Sequence, residues 1–207
     1  ELRSVGEALA AVPEPDVTPA VTALRAQVLA AQVARFGAPA TVLADAEQLL
    51  STLDQGEEPP ADVVRARGIL SLAKGEAEAA STLLAPLEKQ GDAAAAVYLG
   101  WAQLRARAFG EAERTFAAVL GRDARVPAAL YGAAAVQYAL NKQRSALLWA
   151  EKALAVRADY TSAMLLKARV LLAAGSEREA EQALNRLLKL RAKAPPGEQA
   201  ASLLLLG

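Results

Sequence analysis

Residues 93–126 read AAAAVYLGWAQLRARAFGEAERTFAAVLGRDARV, residues 127–160 read PAALYGAAAVQYALNKQRSALLWAEKALAVRADY, and residues 161–194 read TSAMLLKARVLLAAGSEREAEQALNRLLKLRAKA. Written one beneath another, they place Gly100, Ala134 and Ala168 in one column and Ala112, Ala146 and Ala180 in a second. Each series steps by 34, and the two are offset by 12. A fixed period of this length is the mark of stacked repeats, each a unit that cannot bury its apolar face alone. The offset puts one small residue on each of two successive helices, near where they cross. Gly or Ala at a crossing lets the axes approach closely, where a larger side chain would hold them apart.

The three copies resemble the tetratricopeptide repeat family. Counted from Ala93, Pro127 and Thr161, the family's small residue at place 8 falls on Gly100, Ala134 and Ala168, and its alanine at place 20 on Ala112, Ala146 and Ala180. The bulky place 24 holds Phe116, Ala150 and Leu184, and the apolar or small place 27 holds Val119, Ala153 and Leu187. Place 4, usually a large apolar residue, holds Ala96, Leu130 and Met164. The chain departs from the pattern at place 11, where Gln103, Gln137 and Leu171 replace the usual tyrosine, and at place 32, where Ala124, Ala158 and Ala192 replace the usual proline. The resemblance is close over half of the chain and loose elsewhere.

Composition narrows the function. Apolar residues are 54% of the 207 but aromatics only 4%, so alanine and leucine fill the core, as helix formers do. The 23 basic and 23 acidic residues cancel, which argues against a nucleic-acid or anionic-membrane partner. Without Cys or His the chain holds no disulfide, no thiolate or imidazole zinc site, no Cys or His nucleophile and no histidine switch. No apolar run approaches the roughly 18 residues of a membrane span. The start at Glu1, with neither Met nor a signal-like run, reads as an excised domain or mature fragment. Abundant Ala, and Arg in excess of Lys, fit a GC-rich bacterial source, cytoplasmic or periplasmic.

Outside the regular array the same hairpins are expected in diverged form. Residues 2–12 read as a short helix closed by Pro13 and Pro15. Thr18 supplies an N-cap with Pro19 at the first helical position, and the helix that follows runs to about Gly37. Its partner follows Pro39, with Ala34 and Ala46 again 12 apart. The stretch from Gln55 to Pro60 is a loop. Helices at about 61–73 and 76–89 make the next hairpin; there Ala66 and Ala77 are 11 apart, as though a turn residue were missing. Turns within the array are expected at Phe109-Gly110, Gly121 to Asp123, Asn141-Lys142 and Gly175-Ser176. After Pro195-Pro196-Gly197 a further helix carries Leu203 to Leu206, read as the core stripe of a truncated repeat. The resulting division is 1–58, 59–92, 93–194 and 195–207.

Little here points to catalysis. The carboxylates sit at helix starts, where they complement the helix dipole, or on polar faces, and the glycines are scattered as turn marks. The resemblance implies instead that first helices line a concave groove through places 2, 5, 9, 12 and 13. Place 5 gives Val97, Tyr131 and Leu165; place 9 gives Trp101, Ala135 and Arg169; place 12 gives Leu104, Tyr138 and Leu172; place 13 begins with Arg105. Extending the count backwards puts Arg67 and Arg35 at place 9 of the two diverged hairpins. Such a mixture suits a peptide, because Trp and Tyr give contact area at low entropy cost and Arg pairs carboxylates bidentately. First helices roughly 10 Å apart would let about ten extended residues span three repeats, and an amphipathic helix fits equally. The carboxylate clamp of some relatives is absent, since its places hold Val97, Trp101, Gly132, Ser162 and Leu166. Trp149, on a second helix, either fills space left by Ala150 or marks a convex contact.

The expectation is therefore an all-α, right-handed superhelical solenoid of about five hairpins with flanking helices. Its expected role is a scaffold without cofactor or metal that binds a protein or peptide. The alternatives are an assembly subunit of an envelope, secretion or pilus complex, with self-association through the C-terminal leucines, and a regulatory repeat domain of a larger protein.

Overall fold

The computed structural model describes residues 8, 10–12, 18–36, 40–53, 59–190 and 205. Among them run ten α-helices and no strand: α1 Pro19–Phe36, α2 Ala40–Ser51, α3 Ala61–Lys74, α4 Ala77–Lys89, α5 Ala93–Arg105, α6 Phe109–Arg122, α7 Pro127–Ala139, α8 Gln143–Val156, α9 Thr161–Ala173 and α10 Glu177–Lys189. The chain forms two compact units, Glu1–Ala106 and Arg107–Gly207. Their boundary falls between α5 and α6, inside the first of the three regular copies.

In the first unit α1 packs on α2, and α3 on α4; α3 also packs on α1, and α5 on α4. Thr18 caps α1 as its position before Pro19 implies, accepting from the Val21 N–H at 3.3 Å. Alanines do much of the packing: Ala23, Ala26, Ala30, Ala46 and Ala66 are fully buried, together with Val63 and Ile69. Asp92 caps α5, its Oδ1 accepting from the Ala95 N–H at 2.9 Å while Oδ2 pairs with Arg65. Burial by itself would raise the Asp92 pKa, but the Ala95 N–H and the Arg65 guanidinium outweigh it and hold the carboxyl below the usual range. A depressed folded-state pKa contributes stability that is present above the unfolded value, about 3.9, and is lost as pH falls through the folded value. Asp92→Ala is thus expected to cost about 1 kcal/mol at neutral pH, a difference that narrows on acidification. Urea midpoints from pH 7 down to pH 2.5 check this; a gap that persists unchanged at the acid end contradicts it.

Helix starts correct the expected register of residues 61–92. Within each of the four hairpins from α3 to α10 the second helix begins at one constant interval after the first: Ala61 and Ala77, Ala93 and Phe109, Pro127 and Gln143, Thr161 and Glu177. No residue is missing from that turn. The shortening lies in the return to the next first helix, which is tighter by two from Ala77 to Ala93 than from Phe109 to Pro127 or from Gln143 to Thr161. Gly91, at φ 94°, closes the short return. The small pair of this hairpin is therefore Gly68 and Ala80, which keep the offset of 12, rather than Ala66 and Ala77. Gly68 is small for a visible reason: a Cβ there would stand 2.6 Å from Cγ of the buried Leu84.

The turn after each of these first helices holds one left-handed residue, at equivalent positions: Gly75 (φ 88°), Arg107 (φ 63°), Asn141 (φ 57°) and Gly175 (φ 76°). Phe109 and Gly110, expected in a turn, are the first two residues of α6, and Gly121 lies inside the same helix. Two glycine substitutions should accordingly move stability in opposite directions. Gly175→Ala is expected to cost about 1 kcal/mol, because a Cβ strains the left-handed turn. Gly110→Ala should gain up to about 1 kcal/mol, because Gly110 is helical and its Cβ would meet nothing within 4 Å. Denaturant midpoints of the two variants test the pair.

In the second unit α6 packs on α7, α7 on α8, α8 on α9 and α9 on α10. Phe116 of α6, with no exposed surface, faces Gly132 of α7, where a Cβ would lie 2.3 Å from the ring. Gln137, at the place where the family has tyrosine, is buried and donates to Glu113 Oε1 of α6 at 2.8 Å. The opening stretch of α9, Thr161 to Leu166, is buried throughout. Trp149 is half-buried between the clusters of Ala134, Ala150 and Leu166 and of Leu130, Ala153 and Tyr160, with the Lys152 ammonium 4.1 Å from its ring centroid. It fills space between helices. Of Leu203 to Leu206 only Leu205 is among the described residues; it is half-buried against Met164, Leu165, Ala168, Leu184 and Leu187. The helix expected at 2–12, the loop expected at 55–60 and residues 191–204 lie mostly or wholly outside the described residues.

Candidate interaction surface

Four of the expected groove residues in the first unit sit on α5. Val97, Trp101 and Leu104 are half-buried. Trp101 packs against the cluster of Leu72, Leu84, Leu87 and Leu99, with Val64 and Tyr98. Part of its ring is thus spent on the fold. Arg105 is exposed, yet its guanidinium donates to the Leu72 carbonyl of α3 at 2.7 Å. That carbonyl lies in the last turn of α3 and also accepts from the Gly75 N–H, so Arg105 steadies a helix terminus. Arg67 is half-buried on α3 and, once its hairpin is counted from Ala61, stands at place 7; the buried Ile69 takes place 9. The Arg35 side chain is outside the described residues.

In the second unit the expected residues lie on α7 and α9. Tyr138 is 37% exposed, although its apolar ring would favour burial. Tyr131 is half-buried and meets Tyr160 edge to face, centroids 5.4 Å apart at 65°. Leu165 is buried in the cluster with Met164 and Leu184, which leaves little of it to offer. Arg169 is exposed and Leu172 half-buried.

The two helix sets differ in charge. First helices α1, α3, α5, α7 and α9 carry eight Lys or Arg and one acid, Asp62; second helices carry ten acids and eight bases. Some of the basic excess is matched inside the fold, by Arg65 with Asp92, Lys74 with Glu47, and Lys167 with Glu151. The chain's overall neutrality therefore hides a basic first-helix set. One apolar feature gave no signal in the sequence: Leu148 of α8 is 53% exposed. Its neighbours Ala146 and Ala150 mark only the buried side of α8.

No group of His, Cys, Asp and Glu that could hold a metal occurs among the described residues. Two hollows of about 270 and 310 Å³ lie at turns, lined by Ala158, Asp159, Arg186, Lys189 and Leu190 and by residues 141–145. Neither includes an aromatic or a first-helix residue. No helix among the described residues is long and apolar enough to cross a membrane.

No family model matches the chain, and no curated protein does. Solved structures do. A thermophilic TPR protein of Thermus thermophilus is similar over 70% of this chain and 81% of its own, at 21% identity and a TM-score of 0.64. A MamA structure from Desulfovibrio magneticus is similar over 83% of this chain and 97% of its own, at 14% identity and a TM-score of 0.60. Another MamA structure covers 74% of this chain and 91% of its own, at 15% identity and a TM-score of 0.59. At such identities the likeness establishes architecture and nothing finer. The chain has the all-α helical-hairpin fold of tetratricopeptide repeat proteins.

Proposed function

We propose that the chain is a non-catalytic scaffold that holds a peptide or helix of a protein partner against its first helices. Tyr138 carries this reading: a large aromatic side chain, 37% exposed, at a place that the fold's relatives turn toward ligands. Trp101 and Arg169 occupy such places on α5 and α9. Repeats of this kind hold their surfaces ready-made, so little protein entropy is lost when a partner docks. The basic bias of the first helices supports a partner segment that offers carboxylates, with affinity that falls as salt rises.

The test is a pull-down from the source organism with wild type and Trp101→Ala/Tyr138→Ala, read by mass spectrometry. Loss of a hot-spot aromatic typically costs about 2 kcal/mol, roughly thirtyfold in affinity, so a partner retained by wild type should be lost from the variant. A partner bound equally by both would place the contact elsewhere. Leu148 favours that second reading, an assembly contact through second helices. Leu148→Lys would then abolish binding, and salt would scarcely change it.

A further inference from the structure

Three first helices of the first unit meet at one side chain. Arg65 of α3 donates Nε to Gln27 Oε1 of α1 at 3.3 Å and pairs through its NH1 nitrogen with Asp92 Oδ2 at the start of α5. Gln27, only 9% exposed, returns a bond from Nε2 to the Asp62 carbonyl of α3 at 3.1 Å. Asp92 spends its other oxygen on the Ala95 N–H. The Arg65 and Asp92 side chains are 22% and 19% exposed, so the network is largely shielded from water. We infer that Arg65 is a clasp that makes α1, α3 and α5 open together, so that the hairpins of this unit do not fray one at a time.

The reason lies in how repeat stacks hold together. Stability in such folds divides into the stability of each repeat and the coupling between neighbours, and apolar packing alone lets terminal repeats open separately. A guanidinium is planar with donors in a fixed fork, so satisfying Gln27 and Asp92 at once fixes both helices relative to α3. Opening α1 strands Gln27 and one edge of Arg65; opening α5 strands the other edge. Hydrogen bonds in a shielded chain also strengthen one another. The first-helix side of this unit is thereby kept as a single body, which goes beyond what the proposed scaffold role requires.

Hydrogen exchange read by mass spectrometry on the full chain tests the clasp, with α8 of the second unit as internal control. Asp92→Asn preserves an N-cap but removes the charge, so a merely local role would leave α1 untouched. The clasp instead makes α1 amides exchange about tenfold faster in Asp92→Asn and in Arg65→Met, with no further gain in the double variant. Should Arg65→Met not fold, Arg65→Lys serves. Its single ammonium keeps Asp92 but cannot also reach Gln27, so α1 accelerates while the first turn of α5 does not. Unchanged α1 exchange in Asp92→Asn, or effects of the two substitutions that multiply in the double variant, would overturn the inference.

Discussion

Phe116→Ala is expected to lower the unfolding free energy by about 3–5 kcal/mol, enough to unfold a marginal domain. Phe116 is the largest fully buried side chain among the described residues, and its ring occupies the space that Gly132 leaves open on α7. Removing the ring loses its transfer free energy and leaves a cavity at the contact of α6 with α7 that its surroundings close only in part. The comparison that isolates the effect is Phe116→Leu, which keeps most of the volume and should cost less than half as much. Chemical denaturation followed by circular dichroism measures both. A loss below about 1.5 kcal/mol for alanine would mean that the site collapses around the gap.

Gly132→Val should damage the same contact from the other side. A Cβ at Gly132 would lie 2.3, 2.4 and 2.7 Å from three ring carbons of Phe116, well inside contact distance, and the branched side chain adds more. Overpacking of this kind typically costs about 1–3 kcal/mol, and the upper end applies because the ring has no free surface to move toward. The helix propensity gained on leaving glycine offsets a few tenths of this, about 0.3 kcal/mol. Each change supplies what the other removes, so the double variant Phe116→Ala/Gly132→Val should be more stable than the sum of the singles by at least about 1 kcal/mol. Simple additivity would show that the two residues do not share one space.

Much of the fold was legible in the sequence because crossing helices tolerate only small residues. Gly100, Ala112, Ala134, Ala146, Ala168 and Ala180 are all buried, at the spacing that announced them. The register of residues 61–92 was not legible, because a shortened return turn breaks a count that steps backwards by 34. Gly68, whose closeness to Leu84 explains it, could have anchored that count, since it stands before Ala80 at the same offset as the regular pairs. Arg107 was invisible as a left-handed residue, since that conformation advertises itself only as Gly or Asn. Its guanidinium lies 5.9 Å from the Phe109 ring centroid, a contact that helps an ill-suited residue hold the turn.

Places on a helix were easier to foresee than what a side chain does there. Of the residues that the resemblance put in a groove, Tyr138 and Arg169 are exposed, whereas Leu165 is buried among core residues. Arg105 satisfies the carbonyl of Leu72 on an earlier helix, and Gln137 meets the carboxylate of Glu113 on another. Such pairings depend on how neighbouring helices lie across one another, which no periodicity within one helix records.

The two kinds of turn have unequal freedom. The spacing inside a hairpin is the same in all four cases from α3 to α10, while the return between hairpins has already taken two lengths. A change inside the α3–α4 hairpin would slide Gly68 off Leu84. From α3 to α10 length has varied only where one module hands over to the next, whereas in α1 and α2 the interval inside the hairpin is longer. A duplicated copy of this chain's unit could thus be trimmed or spliced at its return turn without redesign. From α3 to α10 the modules differ in the return that joins them and not in the spacing inside any one of them.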